Sequence, residues 1–459
     1  MAEELIRARD VQTGHRNVLP TGTEVVASYN WSVRSREGHP RIIVPGAPRN
    51  YVSRMSRRVF VLGKDGGDSF VDENRARMKP FSSVEPLFRS LDICSPNFDI
   101  STVDIVTDRN NLRNLLRFCR SPGDTTTTNE FGNQDFKFFI HSIGESSNGQ
   151  GDPTLVFTRA TVGHHNIYGY GHNFEKKLTE KDSHAPWDAG TFRVVTKMKM
   201  DGMALLVRSE VDACDGTGST RLVPEGNERA SSSGGGGGGG DRGGGGANTS
   251  AKADAKSAED LLVEQLGGLG LSSSSSGGGG KSESKPTSGL TCEKRGQLLG
   301  HDAKMLELKT KNSRYADEIN WKDIYWQMAL GGAHSLVLGL HNRGTFGAGD
   351  VRHHSIGEVK ASAEESGSPS MVFLANTLRG ITKAAHRIIG AASTAPAPPA
   401  APTAPSAASG GRGGTGKRGE SPPPVAAAAA VVVEYSPGRD SRRIRVRLAT
   451  AADGAVPPF

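Results

Sequence analysis

A short apolar run followed by two acids is a strand-like feature of the chain. Residues 204–207 are apolar, and Glu210, Val211 and Asp212 follow them. Because side chains along a strand point alternately to opposite faces, the pattern predicts a strand with Glu210 and Asp212 on one face. Two carboxylates that face the same way at a strand end can hold a cation.

The segment KMLELKTK at residues 304–311 alternates in the same way. Two leucines point to one face, while Glu307 and Lys309 share the other face. The alternation predicts a second strand, in which an acid and an ammonium lie two residues apart.

A helix with one apolar face follows the second strand. Its apolar positions obey the i, i+3, i+4, i+7 spacing, and Gly331 is placed to end it. The apolar residues are Trp321, Ile324, Tyr325 and Met328, with Gln327 beside them. A strand at 335–340 and a turn at 342–344 come next, so the pattern favours an α+β (mixed α/β) sheet core.

An earlier helix is predicted after Thr107 or Asp108, either of which is a suitable N-cap. Arg109, Arg113, Arg117 and Arg120 form a basic stripe along it. Such a stripe is commonly a solvated face. Arg109, however, lies in the first turn beside unpaired backbone N–H groups, a combination that favours phosphate. Both interpretations remain open for Arg109 and Arg113.

The segment IYGYGHNFEKKL contains two glycines, Gly169 and Gly171, ahead of Glu175. A glycine-punctuated turn of this kind can open a helix and direct one carboxylate inward. The nearby histidines lack the spacing of a zinc motif.

Composition divides the chain. It has 459 residues, of which 59 are glycine and only 35% are hydrophobic. Residues 224–289 are rich in Gly and Ser and cannot bury enough apolar surface to offset their ordering entropy, which predicts a disordered insertion. We therefore expect one domain formed by residues 1–223 and 290–392, because a long loop insertion is thermodynamically tolerable.

The rest of the chain has three further features. Residues 393–429 are rich in Ala, Pro and Gly and are predicted to be disordered, whereas residues 430–459 favour a terminal hairpin. Within the insertion, residues 258–271 fit either a short helix that docks a protein partner or a transient helix in a linker.

The formal net charge is +7, which suits a polyanionic partner without proving one. The cysteines are scattered without a CxxC pair, which is typical of a reducing compartment. No apolar run reaches the length of a membrane span. We expect residence in the nucleus or cytoplasm, without secretion and without membrane insertion.

Carboxylates beside a lysine are the chemistry of metal-assisted phosphodiester hydrolysis. Oxygen ligands hold Mg²⁺ or Mn²⁺, and a nearby lysine offsets charge on the phosphate. Each short pattern taken alone is more typical of an amphipathic strand with a solvated face.

Five motifs in chain order resemble the motif series of the DXO/Rai decapping nucleases, within the PD-(D/E)xK nuclease superfamily. They are Arg109, GHNFE (171–175), EVD (210–212), ELK (307–309) and WQ (326–327). The resemblance implies a nuclease-like mixed sheet flanked by helices. This sequence departs from the family pattern at one motif position, where His172 takes the place of a hydrophobic residue.

The resemblance also implies roles for individual residues. Glu175, Glu210, Asp212 and Glu307 would hold two Mg²⁺ or Mn²⁺ ions. Lys309 and Gln327 would place the water or the scissile phosphate, which makes Glu210, Asp212, Glu307, Lys309 and Gln327 the candidate catalytic set. Arg109, with Arg113 on the same stripe, would contact RNA phosphate.

Several phrases, among them SYNW, IIVPGAP and VEPLFRSL, look like a fungal group of uncharacterised proteins that sometimes carries a geranylgeranyl pyrophosphate synthase label. Such a synthase needs paired Asp-rich helices, yet this chain has no Asp-Asp dipeptide. The expected function is therefore a divalent-metal-dependent hydrolase acting on RNA 5′ ends. The alternative is a non-catalytic RNA-binding or scaffold protein on the same fold.

Overall fold

The structure is a computed structural model of the chain. It describes residues 3–11, 16–34, 39–70, 72–118, 135–143, 152–160, 162–166, 168–182, 185–215, 289–295, 304–367, 370–394, 430–435 and 443–453. The predicted insertion and the Ala/Pro/Gly-rich segment lie almost wholly outside these residues, and so does the candidate docking segment 258–271.

The described part of the chain contains the following strands, in chain order. They are β1 (Glu3–Arg7), β2 (Thr21–Ser32), β3 (Arg41–Val44), β4 (Asn50–Tyr51), β5 (Phe60–Val61), β6 (Asp68–Phe70), β7 (Ile105–Asp108), β8 (Phe136–Ile143), β9 (Thr154–Arg159), β10 (His164–Asn166), β11 (Thr179–Glu180), β12 (Ala189–Met200), β13 (Met203–Glu210), β14 (Ala213–Asp215), β15 (Thr291–Lys294), β16 (Lys304–Asn312), β17 (Ser335–His341), β18 (Thr345–Phe346), β19 (Val351–Ser355), β20 (Ala430–Tyr435) and β21 (Arg443–Leu448).

The α-helices are α1 (Ala8–Val11), α2 (Ser53–Ser56), α3 (Glu73–Met78), α4 (Glu85–Cys94), α5 (Arg109–Phe118), α6 (Gly171–Leu178), α7 (Trp321–Gly331), α8 (Ile356–Glu365) and α9 (Val372–Thr394). Short 3₁₀ turns lie at Ile100–Thr102, Ser313–Glu318 and Ala451–Asp453. No helix in the described part of the chain is long and apolar enough to cross a membrane.

Two large mixed sheets organise the described residues. One sheet has eleven strands in the order β1-β21-β20-β8-β9-β7-β13-β12-β2-β3-β15, and the other has six in the order β11-β4-β14-β16-β17-β19. Strand β13 runs parallel to β7 and antiparallel to β12, whereas β16 runs parallel to β17 and antiparallel to β14. The expected mixed α/β class, with mixed sheets flanked by helices, is confirmed.

Both sheets combine strands from the two sides of the predicted insertion. In the larger sheet β15 lies beside β3, and in the smaller sheet β16 lies beside β14. Near the end of the chain, β20 and β21 pair in antiparallel fashion, with Val431 opposite Leu448.

The chain passes from the larger sheet to the smaller one at Val211 and Asp212. Strand β13 ends at Glu210, and β14 begins at Ala213 in the other sheet. This crossing brings the two acids of the EVD motif to the place where the sheets meet.

The predicted alternation along β16 is found. Leu306 and Leu308 pack with Phe174 and Phe346 in an apolar cluster on one side of the smaller sheet. On the other side the largest apolar cluster joins β17 to α5 and α7. Glu307, between the two leucines along the strand, is thereby turned away from the Phe174 cluster.

Helix α7 begins and ends close to the predicted residues. The side chain of Asn320 accepts a hydrogen bond from the Asp323 backbone N–H at 3.0 Å and caps its start. The helix ends at Gly331, as predicted, and the residue that follows it, Gly332, has a left-handed φ of 73°.

Candidate functional site

Glu307 on β16 lies at the centre of the candidate site. Its side chain is only 2% exposed, and Arg109 Nη1 donates to its Oε2 at 3.2 Å. Lys309 Nζ lies 2.5 Å from its Oε1, and the amide of Gln327 donates to the same oxygen. One buried carboxylate is therefore satisfied by three of the residues singled out in the sequence.

The fold explains why these residues meet. Arg109 is the first residue of α5, directly after β7 of the larger sheet. Gln327 lies in the middle of α7, and α7 connects β16 to its parallel neighbour β17, the arrangement of a crossover helix. Helices α5 and α7 contact each other, which places the arginine and the glutamine over Glu307.

Glu307 and Lys309 each stabilise the charged form of the other. Burial acts to raise the pKa of Glu307, but the cations of Lys309 and Arg109 outweigh burial and lower the pKa. Burial acts to lower the pKa of Lys309, and the carboxylates of Glu307 and Asp212 reverse that effect and raise the pKa. The pair is thus held as an anion beside a cation.

Asp212 is fixed by the backbone of β16. Its Oδ2 accepts a hydrogen bond from the Leu308 backbone N–H at 2.8 Å. Burial first, and then the negative charge of Glu307, raise the pKa of Asp212 to about 7. This carboxyl group therefore exchanges its proton near neutral pH.

Glu175 lies on α6, as the glycine-punctuated turn predicted. Asp65 holds the start of this helix, because its two oxygens accept from the backbone N–H groups of His172 and Asn173 at 3.1 and 2.9 Å. Burial and the negative charge of Asp212 raise the pKa of Glu175 well above its usual value. The negative charges of Glu175 and Asp212 therefore repel each other.

Glu210 has a different environment. Its side chain is 47% exposed, and its Oε2 lies 2.5 Å from Nη1 of Arg193, its cross-strand neighbour on β12. Arg193 is buried and also donates to Glu73 on α3 at 3.1 Å. Glu210 is therefore paired with an arginine in this structure.

A buried ion pair lies next to Arg109 and Glu210 of the site. Arg208 Nε and Nη2 donate to the two oxygens of Asp108 at 2.6 and 2.9 Å. Asp108 immediately precedes Arg109, and Arg208 lies two residues before Glu210. Arg208 also donates to the carbonyl oxygen of Ser83 at 2.7 Å.

A polar cavity of about 70 Å³ adjoins Arg109 and Glu210. Its lining combines four arginines with four acids and three neutral polar residues. These are Asp72, Glu73, Asn74, Asp108, Arg109, Asn110, Arg159, Arg193, Arg208, Ser209 and Glu210. Such a lining suits a small charged group better than an apolar ligand.

The basic stripe of α5 is divided by the fold. Arg109 is only 9% exposed, so the interpretation as a solvated face is wrong for this residue. Arg113 donates to Asp323 on α7 at 2.8 Å and is not among the hydrogen-bond donors to Glu307. Arg117 donates to Asn114, and Arg120 lies outside the described residues.

Carboxylate oxygens are the ligands that Mg²⁺ and Mn²⁺ prefer, and a cation would relieve the repulsion that raises the pKa of Asp212 and of Glu175. The chemistry of the donor set therefore fits a divalent metal. Among the residues that the structure describes, however, no three His, Cys, Asp or Glu side chains are placed as a formed metal cluster. Glu210 and Glu307 are instead neutralised by arginine and lysine.

Sequence reasoning missed Arg193, Arg208 and Asp65, and it gave Asp108 only as a candidate N-cap. Arg193 and Arg208 lie among apolar residues of two strands, where arginine is unusual. That position in the sequence is the signal that could have identified them. The partners of these arginines could not be read from the sequence, because they depend on the register between strands.

A family model described as Domain of unknown function (DUF8563) matches residues 5–233. No curated protein matches this chain. Solved structures similar to it include S. pombe Rai1 in complex with 3′-FADP, at 9% identity and a TM-score of 0.47, covering 98% of this chain and 100% of that one.

Two further similar structures carry manganese in their descriptions. Candida albicans Rai1 in complex with pU5-Mn²⁺ has 9% identity and a TM-score of 0.44, covering 99% of this chain and 95% of that one. K. lactis Dxo1 in complex with manganese has 7% identity and a TM-score of 0.45, covering 98% of each chain. Likeness at this level does not transfer residue roles to this chain.

Proposed function

We propose that this chain is a divalent-metal-dependent hydrolase of phosphodiester or pyrophosphate bonds at RNA 5′ ends. The observation that carries the proposal is the environment of Glu307. A buried carboxylate contacts Arg109, Lys309 and Gln327, which come from three separate elements. Beside it, Asp212 is fixed on the backbone of β16 and exchanges its proton near neutral pH.

The metal would be held by Glu175, Glu210, Asp212 and Glu307. When bound, Mg²⁺ or Mn²⁺ supplies charge to a phosphate oxygen and lowers the pKa of a bound water. In this chain, Glu210 would first have to exchange its contact with Arg193 for the metal.

The neighbouring side chains orient the acids and bind the substrate. Lys309 remains protonated because its pKa is raised, so it offers a positive charge to a phosphate oxygen. Gln327 holds Oε1 of Glu307, and Arg109 holds Oε2, which fixes the plane of the carboxylate. The guanidinium of Arg109 also borders the polar cavity, where a terminal phosphate would meet it.

RNA is proposed as the substrate class for two reasons. The five ordered motifs resemble the series of the DXO/Rai decapping nucleases. The chain also carries a net charge of +7, which favours a polyanion. The proposal covers decapping, pyrophosphohydrolase and 5′–3′ exonuclease outcomes, which differ in the bond that is cut.

A non-catalytic RNA-binding or scaffold protein is the second candidate. One observation favours it: Glu307 and Glu210 already have internal cationic partners, so these two acids are satisfied without a metal ion. A scaffold on this fold would bind RNA and hydrolyse nothing.

Hydrolysis assays distinguish the two candidates. Purified full-length chain is incubated with 5′-triphosphate, methylguanosine-capped, NAD-capped and 5′-monophosphate RNA, with Mn²⁺, with Mg²⁺ or with EDTA. Asp212→Asn and Glu307→Gln remove one carboxylate each, and Asp92→Asn on α4 is the matched control outside the site. Metal-dependent products from the wild type and from Asp92→Asn, but not from the other two variants, would establish catalysis. RNA binding without turnover on any substrate would favour the scaffold.

A further inference from the structure

A second polar cavity opens where β16 and β17 end. Its volume is about 520 Å³, and its lining residues come from the two segments that follow these parallel strands. They are Asn312, Ser313, Arg314, Tyr315, Asn342 and Arg343. In sheets with parallel strands, ligands commonly bind outside the carboxyl ends of the strands, which is where this cavity lies.

The side chains at this cavity combine an aromatic ring with two cations. Tyr315 is 44% exposed, which is unusual for a large ring, and Arg314 and Arg343 are exposed as well. Within the part of the chain that the structure describes, no acid lies within ion-pair distance of either guanidinium. Asp317 and Glu318 follow in the same turn, but neither lines the cavity.

The backbone at both arms of the cavity departs from regular structure. Tyr315 has φ −113° and ψ 26° inside a 3₁₀ turn, so the turn is kinked at the ring. Arg343 has φ 50°, a left-handed conformation that is uncommon for a residue with a side chain. The kink ends the regular 3₁₀ geometry at Tyr315, and the left-handed Arg343 belongs to the two-residue turn across which Asn342 and Thr345 pair.

The cavity and the candidate active site share one strand. Glu307, Lys309 and Asn312 all belong to β16. At a rise of about 3.3 Å per residue, Lys309 and Asn312 are separated by roughly 10 Å along the strand. A polymer bound at Lys309 can therefore reach the cavity within a few of its repeating units.

We propose that this cavity binds single-stranded nucleic acid, with Tyr315 stacking on a base and with Arg314 and Arg343 contacting phosphates. Aromatic rings beside cations are the common means of binding single strands without sequence preference. The inference deepens the proposed function, on which it rests, by giving the body of the RNA a site beyond the 5′ end. An acidic peptide would use the two arginines, but it would gain nothing comparable from the ring.

Binding in EDTA tests this site without hydrolysis. Fluorescence anisotropy measures the Kd of the full-length chain for a labelled ten-nucleotide oligouridine and for a labelled polyglutamate peptide. Tyr315→Ala is expected to weaken oligouridine binding about tenfold, whereas Tyr315→Phe, which keeps the ring, changes it by less than about twofold. Arg314→Gln/Arg343→Gln is expected to reduce the slope of log Kd against log salt by roughly 0.7 for each phosphate that the variant no longer binds.

Arg387→Gln/Arg445→Gln is the matched control, because it removes two exposed guanidiniums on α9 and β21. Equal Kd values for Tyr315→Ala and wild type would overturn the proposal. So would tighter binding of polyglutamate than of oligouridine, or no oligouridine binding by the wild type. Turnover in the separate hydrolysis assay tests the proposed function independently, since a failed site here leaves metal-dependent hydrolysis measurable.

Discussion

Arg208 and Asp108 form a bidentate ion pair next to the candidate site, with donor–acceptor distances of 2.6 and 2.9 Å. They are directly opposite each other in the parallel pair β13 and β7. The pair therefore ties the residue before Arg109 to the strand that ends in Glu210. We infer that it sets the relative position of a guanidinium and a carboxylate of the site.

Asp108→Ala is expected to lower the free energy of unfolding by about 3–5 kcal/mol, because it leaves Arg208 buried without its carboxylate partner. Urea denaturation followed by circular dichroism measures this change. Arg445→Ala, which breaks an exposed pair with Glu3, is expected to cost less than about 1 kcal/mol. Similar effects of the two variants would show that the buried pair has no special structural role.

Gly331→Ala tests the contact between α7 and Arg109. A Cβ at residue 331 would lie 2.7 Å from Arg109 Nη1 and 3.3 Å from its Cδ, so the arginine would have to move. Although alanine is the better helix former by about 1 kcal/mol, we expect a net destabilisation of about 1–3 kcal/mol and a loss of RNA hydrolysis. Thermal unfolding and the hydrolysis assay measure the two effects.

Gly390→Ala in α9 is the control, because nothing lies within 4 Å of a Cβ there, and this variant should be neutral or slightly stabilising. The double variant Gly331→Ala/Arg109→Ala should lose less stability than the sum of the single changes, since the clash disappears with the arginine. Strict additivity would contradict the proposed contact.

The elements around the site were largely predictable from the sequence. The alternation of leucines with Glu307 and Lys309 predicted β16, and the i, i+3, i+4, i+7 spacing predicted α7. Both signals are local, because one buried face imposes the period. Glu307, Lys309, Gln327 and Arg109 were also named from the sequence, and they meet in the fold.

The partners of these residues were not predictable. Arg193 pairs with Glu210 because the register of β12 and β13 places them opposite each other, and register is a property of the whole sheet. Arg109 looked like part of a solvated stripe, since its burial depends on α7, which lies some two hundred positions later in the chain. The cationic partners of the acids in the candidate site could not be predicted either, because they depend on which arginine or lysine the fold brings to each acid.

Arg109→Ala is expected to change the pH dependence of metal binding. Lys309 and Arg109 together hold the pKa of Glu307 below its usual value against the effect of burial, so removal of the guanidinium should raise that pKa. Acid would then displace Mn²⁺ at a higher pH than in the wild type. Calorimetric titration with Mn²⁺ between pH 5 and pH 8 measures this, with RNA binding recorded in parallel.

Arg113→Ala is the matched control for that experiment, because Arg113 donates to Asp323 rather than to Glu307. Its effect on the pKa of Glu307 should be smaller. If both variants bind Mn²⁺ with the pH dependence of the wild type, Glu307 is not a metal ligand.

Mn²⁺ should stabilise the protein more at pH 8 than at pH 6. In the folded protein the pKa of Asp212 is about 7, against an ordinary value of 3.8, so between these values the folded chain binds a proton that the unfolded chain lacks. Stability from this group therefore falls as pH rises through that window, by up to about 1.4 kcal/mol per pH unit. A cation competes with that proton, and above pH 7 it meets a carboxylate that is already ionised and repelled by Glu307. Thermal unfolding with and without Mn²⁺ at the two pH values measures the difference, and Asp212→Asn should abolish it. An equal Mn²⁺ shift at both pH values in the wild type would mean that Asp212 does not bind the metal.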